Sequence, residues 1–164
     1  MQRRVIDTGG EFPNREQLTG LGELAFLFLR APNYARIAVS DLRFVIEPPM
    51  DTGHFALMRQ NGVPRALLTW AYMSDEVEAR HLSGHRLTSQ DWMSGDRLWV
   101  MDLVAPYGQG SARRMLRFFE ASLPQEIQDL RFVRRGRTPG ITRVYTALRR
   151  PDGRFGYAVQ NRTL

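Results

Sequence analysis

The sequence predicts an α+β fold, with one central, mostly antiparallel sheet flanked by helices. Three observations carry that expectation. Stretches with helical spacing of apolar residues alternate with short runs rich in β-branched and aromatic residues. Tight-turn signals, Asn61-Gly62 and Pro151-Asp152-Gly153, pair several of those runs into hairpins. No internal repeat or linker divides the 164 residues. Residues 1–13 read as a flexible N-terminal arm broken by Gly9-Gly10 and Pro13, and 14–164 as a single domain.

The elements follow in order. Asn14 can cap a helix, with Gln17 in capping-box position. That helix runs to about Leu29 with Leu18, Leu21, Leu24, Ala25 and Phe28 apolar, and Pro32 ends it. Gly20 and Gly22 either weaken it by ~1 kcal/mol each or allow close packing. Leu42 to Glu47 reads as a strand stopped by Pro48-Pro49, and Phe55–Arg59 and Ala66–Tyr72 as the two arms of a hairpin. Ser74 caps a short helix with acids in its first turn. Leu98–Val104 is a strand, and residues 111–122 form a helix with Ala112, Met115, Leu116 and Phe119 on one face. Leu130–Arg134, Thr142–Leu148 and Arg154–Val159 are the strands of an arginine-rich tail.

Composition narrows the function classes. With 43% hydrophobic residues the chain can bury a core. The formal net charge is +6, and all 23 basic residues are arginine. A GC-rich coding composition explains the missing lysine; so does an enzyme that modifies lysines and spares itself. The positive balance favours an acidic partner: a nucleic acid, an acidic protein or a phosphate group. Without cysteine there is no disulfide scaffold, thiolate metal site or cysteine nucleophile. The longest apolar run, Leu24 to Leu29, is far short of a membrane span, and the N-terminal residues do not form a secretory signal, so a cytoplasmic location is expected.

The most informative segment is Asp91 to Gly110, DWMSGDRLWVMDLVAPYGQG. It places one carboxylate, Asp102, in a strand that ends in a glycine loop and a helix start. Strict alternation would put Val100 and Val104 on the side of Asp102, and Met101 and Leu103 on the other. An acid there is paired, solvated or functional; a salt bridge to one of the many arginines is the plain structural alternative. In the loop, Tyr107, Gly108 and Gly110 offer backbone N–H groups to a ligand, and Arg113 and Arg114 in the first helical turn offer charge to an anion. An ordinary strand-to-helix turn with solvated arginines has the same pattern. His54, His81 and His85 lack a metal-ligand arrangement, since Gly84 falls between the last two, and no metal site is expected. Arginines interleaved with Phe132, Tyr145, Phe155 and Tyr157 would suit nucleic acid, but no nucleic-acid-binding motif accompanies them.

Two blocks, LGELAFLFLRAP (residues 21–32) and DWMSGDRLWVMDLVAPYG (91–108), resemble the toxin-activating lysine acyltransferases that activate RTX haemolysins. RQNGVPRALLTWAYMSDEVEARHLSG between them resembles that family's middle hairpin and short helix, so the likeness spans roughly residues 20–120. It implies a GNAT-like domain whose strand, loop and helix at 98–120 form the acyl-donor site. The implied donor is a fatty acyl chain on the phosphopantetheine of acyl carrier protein, with no tightly bound cofactor. The implied acceptor is a lysine of a protoxin-like protein, and a homodimer is possible. The family's catalytic pair is a His just past the first helix and an Asp in the strand before the loop. Here these positions are Tyr34 and Asp102, and a Ser common before the Pro is Ala31. The implied roles are Asp102 accepting or orienting the amine, Tyr34 donating to the departing thiolate, and backbone N–H groups at Tyr107–Gly110 holding the oxyanion. The alternative is an altered or inactive member that binds acyl carrier protein or a client without transfer.

Overall fold

The computed structural model describes residues 13–108, 110–135 and 141–163. Most of the expected N-terminal arm, and Gln109 of the glycine loop, lie outside the described residues. Among the described residues, the order is α1 (Arg15–Phe28), α2 (Arg43–Thr52), β1 (Phe55–Gln60), β2 (Val63–Met73), α3 (Asp75–Leu82), β3 (Arg97–Val104), α4 (Ser111–Ser122), β4 (Asp129–Arg135), β5 (Ile141–Arg149) and β6 (Phe155–Thr163). Short 3₁₀ turns at Pro32–Tyr34 and Val39–Asp41 link α1 to α2.

The strands form one sheet in chain order, β1 to β6, with every neighbouring pair antiparallel except β3 and β4. β3 runs parallel to β4 because α4 carries the chain back across the sheet between them. Side chains of β2 alternate between two cores. Ala66 and Leu68 pack with Met115 and Phe119 of α4. On the opposite face, Leu67 packs with Leu24, Leu27 and Phe28 of α1 and Ile46 of α2, while Ala71 and Met73 pack with Val77 and Leu82 of α3. The result is three layers, α4 on one side of the sheet and α1 to α3 on the other.

Local sequence explains most boundaries. The Asn14 side chain accepts from the Gln17 N–H and the Gln17 side chain accepts from the Asn14 N–H, each at 2.9 Å, closing the capping box. Asn61 and Gly62 both take positive φ (52° and 76°), the requirement of a two-residue hairpin turn whose twist matches its strands. Leu18 and Leu21, expected on the buried stripe of α1, are exposed; Leu24, Leu27 and Phe28 form the buried face instead. Gly20 leaves ordinary contact space to Met50, and nothing crowds Gly22, so close helix packing does not require either residue.

The expected strand at Leu42–Glu47 is a helix, α2, and Pro48 and Pro49 lie inside it. Leu42 and Ile46, four apart, are both buried against α1, and Pro48 and Pro49 are buried as well. Burial of that face outweighs the missing proline N–H groups. Gly53, at φ 72°, ends the helix in the left-handed conformation.

The block before β3, from Thr88 to Gly95, is a fold-building device. Asp91 accepts from the Thr88 N–H (2.8 Å) and hydroxyl (2.9 Å) and pairs with Arg80 of α3. Trp92 is buried, and Ser94 accepts from the Ser74 N–H at 3.0 Å. A Cβ on Gly95 would sit 2.5 Å from the Met73 carbonyl oxygen and the Ser74 nitrogen, so only glycine fits. Burial opposes ionisation of Asp91, but the Thr88 and Arg80 bonds outweigh it and hold the carboxyl below its ordinary value. Gly95→Ala is expected to cost at least about 2 kcal/mol in a denaturant melt, through backbone overlap. Asp91→Asn is expected to cost about 1 kcal/mol at neutral pH. Because the folded carboxyl is the stronger acid, that deficit shrinks as pH falls below the ordinary 3.8, which urea titrations at several pH values would measure.

Candidate active site

The site begins with an irregularity in β3. Thr69 of β2 faces Asp102, but Trp70 faces Val100, so Met101 is an extra, unpaired residue. This bulge breaks the alternation. Val100 packs in the α4 core, whereas Asp102 turns to the face of Thr69 and α1. The expectation that Val100 shares the side of Asp102 is therefore wrong, and the bulge is the reason. Val104 does lie on the α1 side, against Leu67.

Just past the same point β3 leaves its other neighbour. Among the described residues, β3 and β4 are joined by only two ladder pairs, Trp99 with Arg131 and Val100 with Phe132. Beyond them the strands part around a cavity of about 510 Å³. β3 contributes Asp102 to its wall, β4 contributes Phe132 and Val133, and α4 contributes Ala112 and Leu116. The segment after α1 supplies Pro32, Asn33 and Tyr34. Most of the lining residues are apolar; Asn33, Tyr34 and Asp102 are the polar ones.

Tyr34 and Asp102, 68 positions apart in sequence, meet there: the Tyr34 hydroxyl donates to Asp102 Oδ1. The Tyr34 ring packs edge-on against Phe28 at 4.8 Å, which fixes the direction of the phenol. Thr69, fully buried on β2, donates its hydroxyl toward Asp102 Oδ2 at 3.4 Å and accepts from the Asp102 N–H at 3.1 Å. Sequence reasoning missed Thr69, which reads as an ordinary β-branched strand residue; only its register opposite the acid marks it.

The expected donor-binding residues are placed differently. Tyr107 turns toward α1: its ring lies 6.4 Å from Phe26 and beneath the Arg65 guanidinium at 4.8 Å. Gly108 and Gly110 take positive φ (64° and 72°), and Gly110 starts α4. Arg113 and Arg114 are exposed on α4. None of these five residues lines the cavity; Ala105, Pro106 and Ala112, on either side of the loop, do. The first turn of α4 thus borders the cavity through Ala112, with its N–H groups at the helix's positive end.

The sequence profile of the RTX toxin acyltransferase family matches residues 14–139. The chain belongs to that family. It is 31% identical over 108 residues to the RTX-I toxin-activating lysine-acyltransferase ApxIC of Actinobacillus pleuropneumoniae, an alignment covering 65% of this chain and 62% of that protein. To the leukotoxin-activating lysine-acyltransferase LtxC of Aggregatibacter actinomycetemcomitans it is 36% identical over 89 residues, 54% of this chain and 53% of the relative. To the protein-lysine palmitoyltransferase CyaC of Bordetella bronchiseptica it is 30% identical over 122 residues, 74% and 66%. The chain thus spans between about half and two-thirds of the length of these relatives. Among solved structures it is similar to the GphF GNAT-like decarboxylase in complex with isobutyryl-CoA, with a TM-score of 0.50 and 21% identity over 74% of this chain and 65% of that one. The fold is GNAT-like. No helix among the described residues is long and apolar enough to cross a membrane.

Thr69→Val keeps the shape of the β2 side chain and removes both bonds to Asp102. A loss of about 1–2 kcal/mol is expected in a chemical melt, because the Asp102 N–H loses its partner in a part-buried setting.

Proposed function

We propose that this chain is a protein-lysine acyltransferase that moves a fatty acyl group from acyl carrier protein to a lysine of a protoxin-like acceptor. The observation that carries the reading is the Tyr34–Asp102 pair, set in the wall of a largely apolar cavity where β3 parts from β4. An apolar cleft with a few convergent polar groups is the usual form of a small-molecule site. Family membership supports the reaction class.

The chemistry follows from the groups present. A lysine amine has a pKa near ~10.4, so about one in 10³ is neutral at pH 7. Asp102, which accepts from the Tyr34 hydroxyl, attracts and orients the amine, and the neutral fraction reacts. Its nitrogen forms a bond to the thioester carbonyl carbon, and the first turn of α4 faces the oxyanion that develops. The carbon–sulfur bond breaks, and the departing sulfur takes the phenolic proton of Tyr34. The surplus proton on nitrogen passes through Asp102 and restores the phenol. The products are an amide and a free pantetheine thiol.

Intact-mass analysis tests this with palmitoyl-acyl carrier protein as donor and a lysine-containing, repeat-rich RTX protoxin as acceptor. The chain has no lysine, so a lysine-borne palmitoyl increment belongs to the acceptor. Asp102→Asn and Tyr34→Phe are each expected to slow transfer by roughly 10²-fold or more; undiminished rates in both would sink the assignment. The rate of the native chain is expected to climb about tenfold per pH unit from 7 to 9, following the neutral amine. A Tyr34→His variant is expected to level off above about pH 7.5, where an imidazole with a pKa near ~6.5 is almost wholly the neutral base. A chain that binds the donor without transfer, gaining activity only as Tyr34→His, would be a binder with an altered site.

The acidic carrier protein is expected to dock on the exposed arginines of α4, Arg113, Arg114 and Arg117. Its affinity should then fall steeply as salt is raised toward 0.15 M, and a salt-insensitive Kd would exclude them.

A further inference from the structure

Two residues of the DWMSGDRLW block, Arg97 and Trp99, do not reach the cavity; both end on Glu78 of α3. Glu78 is buried, 8% exposed as a residue. One of its oxygens, Oε2, accepts from Arg131 Nη1 at 2.9 Å, Arg97 Nη1 at 3.2 Å and the Trp99 indole N–H at 3.2 Å. Each arginine also holds a second acid: Arg97 pairs with Asp75, and Arg131 with Asp129 at 2.9 Å. Three acids and two arginines thus run from α3 across β3 to β4.

The place of this network in the sheet gives it a role. Trp99 and Arg131 are partners in the first of the two ladder pairs that join β3 to β4. Glu78 bonds to the side chains of both. The next residues of each strand, Met101 and Asp102 on one and Val133 on the other, already line the cavity. A parallel ladder of two pairs is a weak hinge, since each pair contributes only the slanted bonds of a parallel register. A buried carboxylate bonded to both sides of it resists spreading, because separation would strand its charge.

We infer that Glu78 is a positioning residue, one that sets the angle at which β3 and β4 diverge and hence the width of the cleft beside Asp102. The inference rests on the acyl-donor reading of that cleft for its consequence, but not for its geometry. Burial alone would raise the Glu78 pKa; the bonds from Trp99 and Arg97 and the charges of Arg131 and Arg97 pull it below its ordinary value, so the carboxylate stays charged at neutral pH.

The chain has no cysteine, so spin labels on a Leu103→Cys, Arg143→Cys double variant report the separation across the cleft without background. Both positions are exposed, one past the hinge on β3 and the other on β5 beside β4. Introducing Glu78→Gln is expected to broaden and lengthen that distance distribution. It is also expected to raise KM for palmitoyl-acyl carrier protein about tenfold while kcat changes less than threefold. Leu82→Ala, which loosens the same helix from its core without touching the carboxylate, is expected to leave both unchanged. An unchanged distribution in Glu78→Gln overturns the inference whatever the activity. An equal change in Leu82→Ala also overturns it, by assigning the hinge to packing. A cleft that widens in Glu78→Gln, in a chain whose native form transfers no acyl group, sustains the hinge and removes the donor reading.

Discussion

The extra residue in β3 is the constraint on which the site depends. Had the strand kept strict alternation, Asp102 would share the face of Val100 and point into the α4 core, an unpaired acid among apolar side chains. Met101 shifts the parity by one, so the carboxylate emerges opposite Thr69 and within reach of Tyr34. The same stretch of strand abandons β4, opening space beside the acid it has just turned. One irregularity therefore accounts for both the orientation of the Asp102 carboxylate and the cavity beside it.

The rest of the architecture holds that irregularity still. Bulges weaken a ladder, so a functional bulge needs support from outside the strand. Here it comes from both ends. Below, α3 and the loop before β3 are laced together by Asp91, Ser94 and Gly95 and tied to the strand by Glu78. Above, Thr69 bonds both the amide and the carboxylate of Asp102 from the neighbouring strand. The sequence block that identifies the family is thus mostly scaffold, with Asp102 standing beyond its last tryptophan.

What was legible in the sequence depended on how local its cause was. The bounds of α4 follow from apolar spacing at Ala112, Met115, Leu116 and Phe119, and the hairpins from Asn61-Gly62 and Pro151-Asp152-Gly153, because each signal lies within the element it specifies. α2 was misread because two prolines argue against a helix within the chain, whereas the burial of Leu42 and Ile46 that forms it comes from α1. The bulge left no trace, since Met101 is neither glycine nor proline. Pairing Tyr34 with Asp102 needed the family resemblance, as no spacing rule links residues 68 apart. In the sequence Glu78 is one of three acids in the first turn of α3, and only the fold places it between two arginines and an indole.

A further run of contacts braces the site. Arg65, Tyr107 and Phe26 lie one against the next, and the Arg30 guanidinium lies over the Phe26 ring at 3.7 Å. This column fastens the turn after β3 to the helix whose end delivers Tyr34. The phenol and the carboxylate are therefore braced together on one wall of the cavity, across from the wall built from α4 and β4.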